Sequence, residues 1–205
     1  MILVDGALWS WRGRRWAHLV SDRSLAELHE FAYQLGKRRV GFQGDHYDVD
    51  EDERTRALAL GAIDVDSRTL VRRLRSSGLR HRDRMEPWTV HHDGPCGSRA
   101  STIASASLRE PHLRTGLVRA LEDLSFINQP LILLERSQEA AAIVDLAEQH
   151  LGRLEKASSA LSEVWIHPLP SPRSKQGHAH SVAELIVRLG DAPGPAVIRQ
   201  PSLGP

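Results

Sequence analysis

Residues 41–49 of the sequence, GFQGDHYDV, place carboxylates, an imidazole and a phenol close together between glycines. Asp45, His46 and Asp48 offer the oxygen and nitrogen ligands that divalent metal ions bind, and a histidine beside carboxylates also suits proton transfer. Carboxylates that lie close together raise one another's pKa unless a cation or a base neutralises them. The stretch therefore indicates an ion site or an acid–base pair; the alternative is a local turn network formed by Asp45 and Asp48.

Carboxylates and imidazoles elsewhere in the first third of the chain could complete this site. Asp5 follows the apolar run ILV, His18 lies in the strand-like run WAHLV, and His29 lies near the apolar face of a helix. The alternative for His29 is a hydrogen-bonded place in the core. The predicted ligands of Mg²⁺, Mn²⁺ or Zn²⁺ are Asp5, His29, Asp45 and Asp48, and the predicted catalytic acid–base residues are His18, His46 and Asp45.

Tryptophan and arginine alternate in WSWRGRRW, residues 9–16. Exposed indole rings stack on bases and guanidinium groups bind phosphate, so the pattern suits a nucleotide or a single-stranded nucleic acid. The alternative is an ordinary loop whose tryptophans pack inward and whose arginines are solvated. The predicted substrate-binding residues are Arg14, Arg15, Gln43, Tyr47 and Arg68.

The first 80 residues alternate short apolar runs with helical patterns, which predicts an α/β domain of three layers: a small parallel or mixed sheet with covering helices. The predicted strands are 2–4, 16–20, 39–42 and 62–65, and the predicted helices are 24–36, 50–61 and 66–78. Ligands of such sheets bind beyond the carboxyl ends of the strands. We therefore expect four polar clusters at one edge of the sheet: Asp5, Ser21–Asp22, Gln43–Asp48 and Asp66–Arg68.

The remainder of the chain predicts less about function. Residues 81–110 mix charge, proline and small residues, which is typical of a linker or a long loop. Residues 111–190 form a second α/β or helical segment, with helices over 111–125, 137–152 and 181–190 and strands over 130–135 and 163–169. The proline-rich residues 191–205 predict a disordered tail. A zinc site or a reactive thiol is a weaker prediction for this half, from His91, His92, Asp93 and Cys96, with His167 and GHAH (177–180) as further imidazoles.

Composition narrows the class of protein. A chain of 205 residues with 40% hydrophobic residues and a net charge of +1 is globular, and its bulk charge favours neither nucleic acid nor membrane. One cysteine, no apolar run of transmembrane length and no signal peptide predict a cytoplasmic protein. The sequence contains no GxGxxG, Walker or GxSxG motif, which disfavours a dinucleotide-binding enzyme, a P-loop enzyme or an α/β-hydrolase.

Four motifs in order, RRWAHLVSD, ELHEFA, GFQGDHYDV and GAIDVDSRTLVRRLR, resemble the bacterial and phage family catalogued as domain of unknown function 4031. The resemblance covers about residues 1–80. It implies a compact domain without an established activity. The shared polar positions are Asp5, His18, Ser21, Asp22, His29, Asp45, His46, Tyr47 and Asp48.

Two functions remain open at this point. The first is a metal-dependent hydrolase that acts on a phosphoester of a nucleotide or nucleic acid, because ILVDG is similar to the opening of small α/β nucleases and phosphatases. The alternative is a non-catalytic module that binds a nucleotide, a nucleic acid or a protein. Residues 81–205 could supply specificity or oligomerisation, and the sequence leaves the oligomeric state open.

Overall fold

A computed structural model of the chain describes residues 1–80, 86–124, 130–147, 153–154, 157–168, 180–191 and 195–200. The fold is α/β, as predicted, and the chain divides into two compact units, residues 1–86 and 87–205. Each unit has its own sheet.

The N-terminal unit is a five-stranded mixed sheet with three helices. Its strands are β1 (Ile2–Val4), β2 (Trp9–Trp11), β3 (Arg14–Ser21), β4 (Tyr47–Asp50) and β5 (Ile63–Asp64). Its helices are α1 (Leu25–Gln34), α2 (Glu51–Ala59) and α3 (Ser67–Ser76).

Strand β3 is central because it pairs along both edges. Leu19 is opposite Val4 of β1 and Tyr47 of β4, and farther back Trp16 is opposite Trp9 of β2 and Asp50 of β4. Strands β1 and β2 therefore share one edge of β3, with a break between them at residues 5–8, and β4 occupies the other edge. These pairs are all antiparallel, whereas β5 runs parallel to β1.

Each helix of this unit begins at a polar residue that accepts a hydrogen bond from an amide of the first turn. Asp50 and Glu53 form a capping box at the start of α2, and Asp66 caps α3 by accepting from the amide of Thr69. Ser24 caps α1, but the Glu27 carboxylate accepts from Ser21 and the Met1 ammonium instead of completing a box. Helix α3 packs Leu70 and Leu74 against Leu3 and Val20 of the sheet.

The sheet differs from the prediction in two ways that bear on function. Residues 39–41 form a 3₁₀ helix instead of a strand, and the strand comes later, at β4. Since β1 and β3 are antiparallel, their carboxyl ends lie at opposite ends of the sheet. The expectation of four polar clusters at one edge is therefore wrong. Asp22 lies at the other end of the strands from Asp5, and its carboxylate contacts the Met1 ammonium and Arg73.

The C-terminal unit is a six-stranded sheet in the order β11-β9-β10-β8-β7-β6, with helices α4 (Ala100–Ser107) and α5 (Pro111–Asp123). Among the strands that the structure describes in this unit, only the pair β11–β9 is parallel. Leu113, Leu117 and Leu121 of α5 pack into the main apolar core with alternate residues of the strands. The strands are β6 (Thr89–Pro95), β7 (Pro130–Arg136), β8 (Glu139–Ala147), β9 (Glu163–Pro168), β10 (His180–Arg188) and β11 (Val197–Arg199).

Several predictions for this half are wrong. The predicted linker contains β6 and α4, and the helices predicted over 137–152 and 181–190 contain the strands β8 and β10 instead. Residues 148–152 of the first predicted helix lie outside the described residues. The Ala-rich sequence of β8 favours helix locally, but pairing with β7 across a hairpin turn at residues 137–138 decides its structure. Strand β10 is fixed by its pairing with β8 and β9 on both sides. The predicted disordered tail contains β11, and its last residues, 201–205, lie outside the described residues.

A close approach between α5 and the sheet predicts an effect on stability. A Cβ atom at Gly116 would lie 2.9 Å from Cγ1 of Val187 and 3.1 Å from the carbonyl oxygen of Ala160. Gly116→Ala should therefore destabilise the protein by about 1–3 kcal/mol despite the better helix propensity of alanine. Arg119→Ala, at an exposed position of the same helix, is the control in urea unfolding. A Gly116→Ala protein more stable than the parent would contradict this packing.

Candidate metal centre

Four segments of the N-terminal unit meet at one place in the fold. Asp5 follows β1, Ser67 begins α3 after the parallel strand β5, and His18 of β3 lies opposite Asp48 of β4. The fourth segment is the tight turn before β4, in which the Gln43 amide donates to the His46 carbonyl at 2.9 Å. Gly44 in this turn has a φ of 92°, a conformation that favours glycine, and the turn presents Asp45 and His46.

Asp5 fixes the position and the tautomer of His18. One of its carboxylate oxygens accepts from the His18 backbone amide at 2.7 Å, and the other lies 3.1 Å from Nδ1 of the His18 ring. The Ser67 hydroxyl donates to that second oxygen at 2.8 Å. Burial raises the pKa of the Asp5 carboxyl, but these hydrogen bonds outweigh burial, so the pKa lies below its usual value. An ionised Asp5 keeps the proton of His18 on Nδ1 and leaves Nε2 as the lone-pair nitrogen.

His46 lies between two carboxylates. Its Nδ1 is 2.6 Å from Oδ1 of Asp45, and its Nε2 is 3.4 Å from Oδ1 of Asp48. Burial of the ring lowers the pKa of His46, but the hydrogen bonds to Asp45 and Asp48 outweigh burial and raise the pKa to about 9. His46 is therefore an imidazolium at neutral pH, and a cation that binds its Nε2 takes the place of that proton.

One atom from each of His18, His46 and Asp48 lies within 4.8 Å of the other two. Two imidazoles and one carboxylate are a common ligand set for zinc and other first-row transition metals. Asp5 and Asp45 face the Nδ1 atoms, as carboxylates do when they orient a histidine that binds metal through its other nitrogen. The residues that fit an ion are therefore His18, His46 and Asp48, and the predicted ligands Asp5 and Asp45 take the orienting position instead.

These side chains line a cavity of about 700 Å³. Its polar side includes Gln43 and Arg80 as well as the candidate ligands, their carboxylate partners and Ser67. Its apolar side is formed by Trp9, Val20, Leu70, Val71 and Leu74. The Trp9 ring also stacks on the His18 ring, with 6.2 Å between centroids. The polar side of the cavity is therefore in direct contact with its apolar side, which we call the apolar wall.

Not every predicted site residue reaches this cavity. His29 and Tyr47 are buried in the core, where the Tyr47 hydroxyl lies 2.9 Å from Nδ1 of His29 and the His29 ring contacts Phe42. The structure therefore does not bring His29 to the candidate ligands, and it gives Tyr47 no surface for a substrate.

The predicted phosphate-binding arginines also lie elsewhere. Arg14 and Arg15 are exposed on the β2–β3 hairpin, where Arg14 pairs with Asp50 and Arg15 lies 3.8 Å from Glu51. Arg68 is exposed on α3 and does not line the cavity.

Ser67 lies within the predicted polar cluster Asp66–Arg68, although it was not among the predicted site residues. The sequence did not predict Arg80 or the apolar wall. Arg80 was not recognisable, because it stands among other arginines at the boundary of the apparent linker.

The weaker zinc prediction for the second half of the chain has no support among the described residues. Nε2 of His91 lies 2.8 Å from Glu135, His92 faces the Gly94 carbonyl at 3.2 Å, and the buried Cys96 thiol donates to the Gly97 carbonyl. Nε2 of His167 lies 3.7 Å from Glu184. Residues 177–179 of the GHAH motif lie outside the described residues.

Residues 2–77 match the family described as protein of unknown function (DUF4031). The N-terminal unit carries a DUF4031 domain. The predicted resemblance is thereby confirmed, and the match includes every residue that lines the cavity except Arg80. No curated protein and no solved structure matches the chain.

Within the described part of the chain, no helix is both long enough and apolar enough to cross a membrane.

The position of His46 between carboxylates predicts a basic titration in metal-free protein. NMR of the full chain in a chelator, with the ring signals assigned through His46→Gln, should show His46 titrating near pH 9. The raised pKa stabilises the fold fully below pH 6.5, and the contribution, at most roughly 3 kcal/mol, is lost as the pH rises through about 9. Asp45→Asn should move the titration back toward the ordinary value. A midpoint near 6.5 in the parent protein would contradict the arrangement.

Proposed function

We propose that the DUF4031 domain binds a divalent transition-metal ion and uses it to hydrolyse a phosphoester. The ligands are Nε2 of His18, Nε2 of His46 and the carboxylate of Asp48. The observation that carries the proposal is the convergence of these three groups within 4.8 Å at the polar side of a cavity. The carboxylates of Asp5 and Asp45 behind the two rings support it, because they hold each Nε2 in a fixed direction.

The chemistry of the ligands favours some ions over others. Imidazole nitrogen suits Zn²⁺ and Mn²⁺, whereas Mg²⁺ prefers oxygen ligands and retains several waters. Of the three ions that the sequence predicts, Zn²⁺ and Mn²⁺ therefore fit two histidines and one aspartate better than Mg²⁺.

Three protein ligands would leave room beside the ion for water and substrate. The ion would supply Lewis acidity, which makes water a better nucleophile and neutralises charge that develops on the phosphoryl oxygens. In the hydrolysis, the water oxygen forms a bond to phosphorus and the bond from phosphorus to the ester oxygen breaks. The leaving alcohol takes that electron pair and one proton of the water, so the reaction consumes one water and needs no redox partner. Asp5 and Asp45 hold the histidine rings in place throughout.

A metal titration tests the binding step. Asp48→Asn removes a charged ligand and should weaken Zn²⁺ or Mn²⁺ binding to the full chain by at least about 100-fold, measured by calorimetry. Asp5→Asn, which disturbs only the partner of His18, should weaken binding by about 10- to 100-fold. Asp52→Asn, at an exposed acid of α2, is the matched control and should bind like the parent. If the parent protein takes up neither ion, the proposed centre does not exist.

A turnover assay tests the reaction. The metal-loaded chain should hydrolyse p-nitrophenyl phosphate, a chelator should stop it, and His18→Gln should lower kcat/KM by about 100-fold or more because the ion loses a ligand. Circular dichroism of His18→Gln controls for misfolding. Metal and phosphate binding without product release would instead assign the cavity to the alternative, a non-catalytic binding module.

A further inference from the structure

Arg80 lines the same cavity, yet in the part of the chain that the structure describes its guanidinium makes no hydrogen bond or ion pair. Its Nε atom is covered by protein and has no acceptor. Buried polar atoms nearly always have a partner, and arginine stays protonated at any physiological pH. Other arginines of the domain do have acid partners, such as Arg54 with Asp64 and Arg73 with Asp22. Arg80 therefore presents an unused positive charge to the cavity.

The carboxylates of the cavity do not satisfy Arg80, because they are occupied by other residues. Asp5 accepts from His18 and Ser67, and Asp45 and Asp48 face the His46 ring. Without a metal ion, the negative charge of these three carboxylates repels an anionic ligand near Arg80. A divalent ion at His18, His46 and Asp48 offsets that charge, so the ion and Arg80 together suit an anionic ligand.

The lining also limits the size of the ligand. Arg80 is the one lysine or arginine among the described residues that line the cavity, and a volume of about 700 Å³ is in the range of small-molecule sites. A nucleic-acid strand, with one charge per nucleotide, is usually held by several cations along a groove. Apolar side chains also line the cavity: Trp9 and Val71 are half-buried and offer a surface that phosphate cannot use, whereas Val20, Leu70 and Leu74 are almost fully buried.

We infer that Arg80 binds the phosphoryl oxygens of the substrate and that the apolar wall receives its leaving group. This inference rests on the proposed function and names its substrate class: the phosphomonoester of a small apolar or aromatic alcohol. Arg80 binds the phosphoryl group beside the ion, and the organic part packs on the half-buried side chains of Trp9 and Val71.

Binding of two non-hydrolysable probes, phenylphosphonate and methylphosphonate, tests the inference by calorimetry on the full chain, with and without Zn²⁺. Phenylphosphonate should bind at least about tenfold tighter, because only its ring can bury apolar surface against the wall. Arg80→Gln should weaken both probes by about 10- to 100-fold, the loss expected for one charge-assisted contact. Arg68→Gln, an exposed arginine of α3 outside the cavity, is the matched control and should change neither affinity.

The outcomes separate this inference from the proposed function. Arg80→Gln should bind Zn²⁺ as the parent does, since Arg80 is not a ligand. If the parent takes up no metal, the proposed function fails, while the phosphonate titrations without metal still decide the role of Arg80. The inference is overturned if neither probe binds under either condition, if Arg80→Gln binds them like the parent, or if methylphosphonate binds as well as phenylphosphonate. Tighter binding of a single-stranded oligonucleotide that displaces phenylphosphonate would also overturn the assignment to a small phosphomonoester.

Discussion

The candidate site depends on the carboxylate of Asp5 and its two bonds to His18. Asp5 follows β1 at the break that separates β1 from β2, and its backbone amide still donates to the His18 carbonyl at 3.2 Å. The Asp5 carboxylate accepts a hydrogen bond from the backbone amide of His18 and also contacts the imidazole ring of His18. A buried carboxylate is costly without partners, and these bonds together with Ser67 offset that cost. The Asp5 side chain therefore replaces a backbone acceptor of the sheet and fixes the orientation of the His18 imidazole.

A second consequence concerns which side of the sheet carries the site. Alternation along β3 places His18 and Val20 on the face that α3 covers, and Val20 packs with Leu70 and Leu74. The charged and apolar sides of the cavity thus come from neighbouring residues of the same strand and helix. The candidate ligand His18 cannot move far relative to the apolar wall without disrupting the core of the domain.

The sequence predicts the local features of the first unit well, because capping residues and helical periodicity act over a few residues. Ser24, Asp50 and Asp66 all cap helices, and residues 41–49 do hold the turn that presents Asp45 and His46. Strand direction depends on contacts between distant parts of the chain, so the sequence could not show that Asp22 lies far from Asp5. The position of Arg80 at the cavity likewise depends on how α3 packs on the sheet. In the second unit, β8 and β10 were wrongly predicted as helices because the pairing of these two strands, which local sequence does not show, determines their structure.

The position of Arg80 outside residues 2–77 has a further consequence for how such a site can change. The groups that fit the ion lie inside the family match, whereas the residue that fits the anion lies a few positions beyond it. On the proposed function, replacement of the segment after residue 77 would alter the group that contacts the anion and leave the candidate ligands of the ion in place.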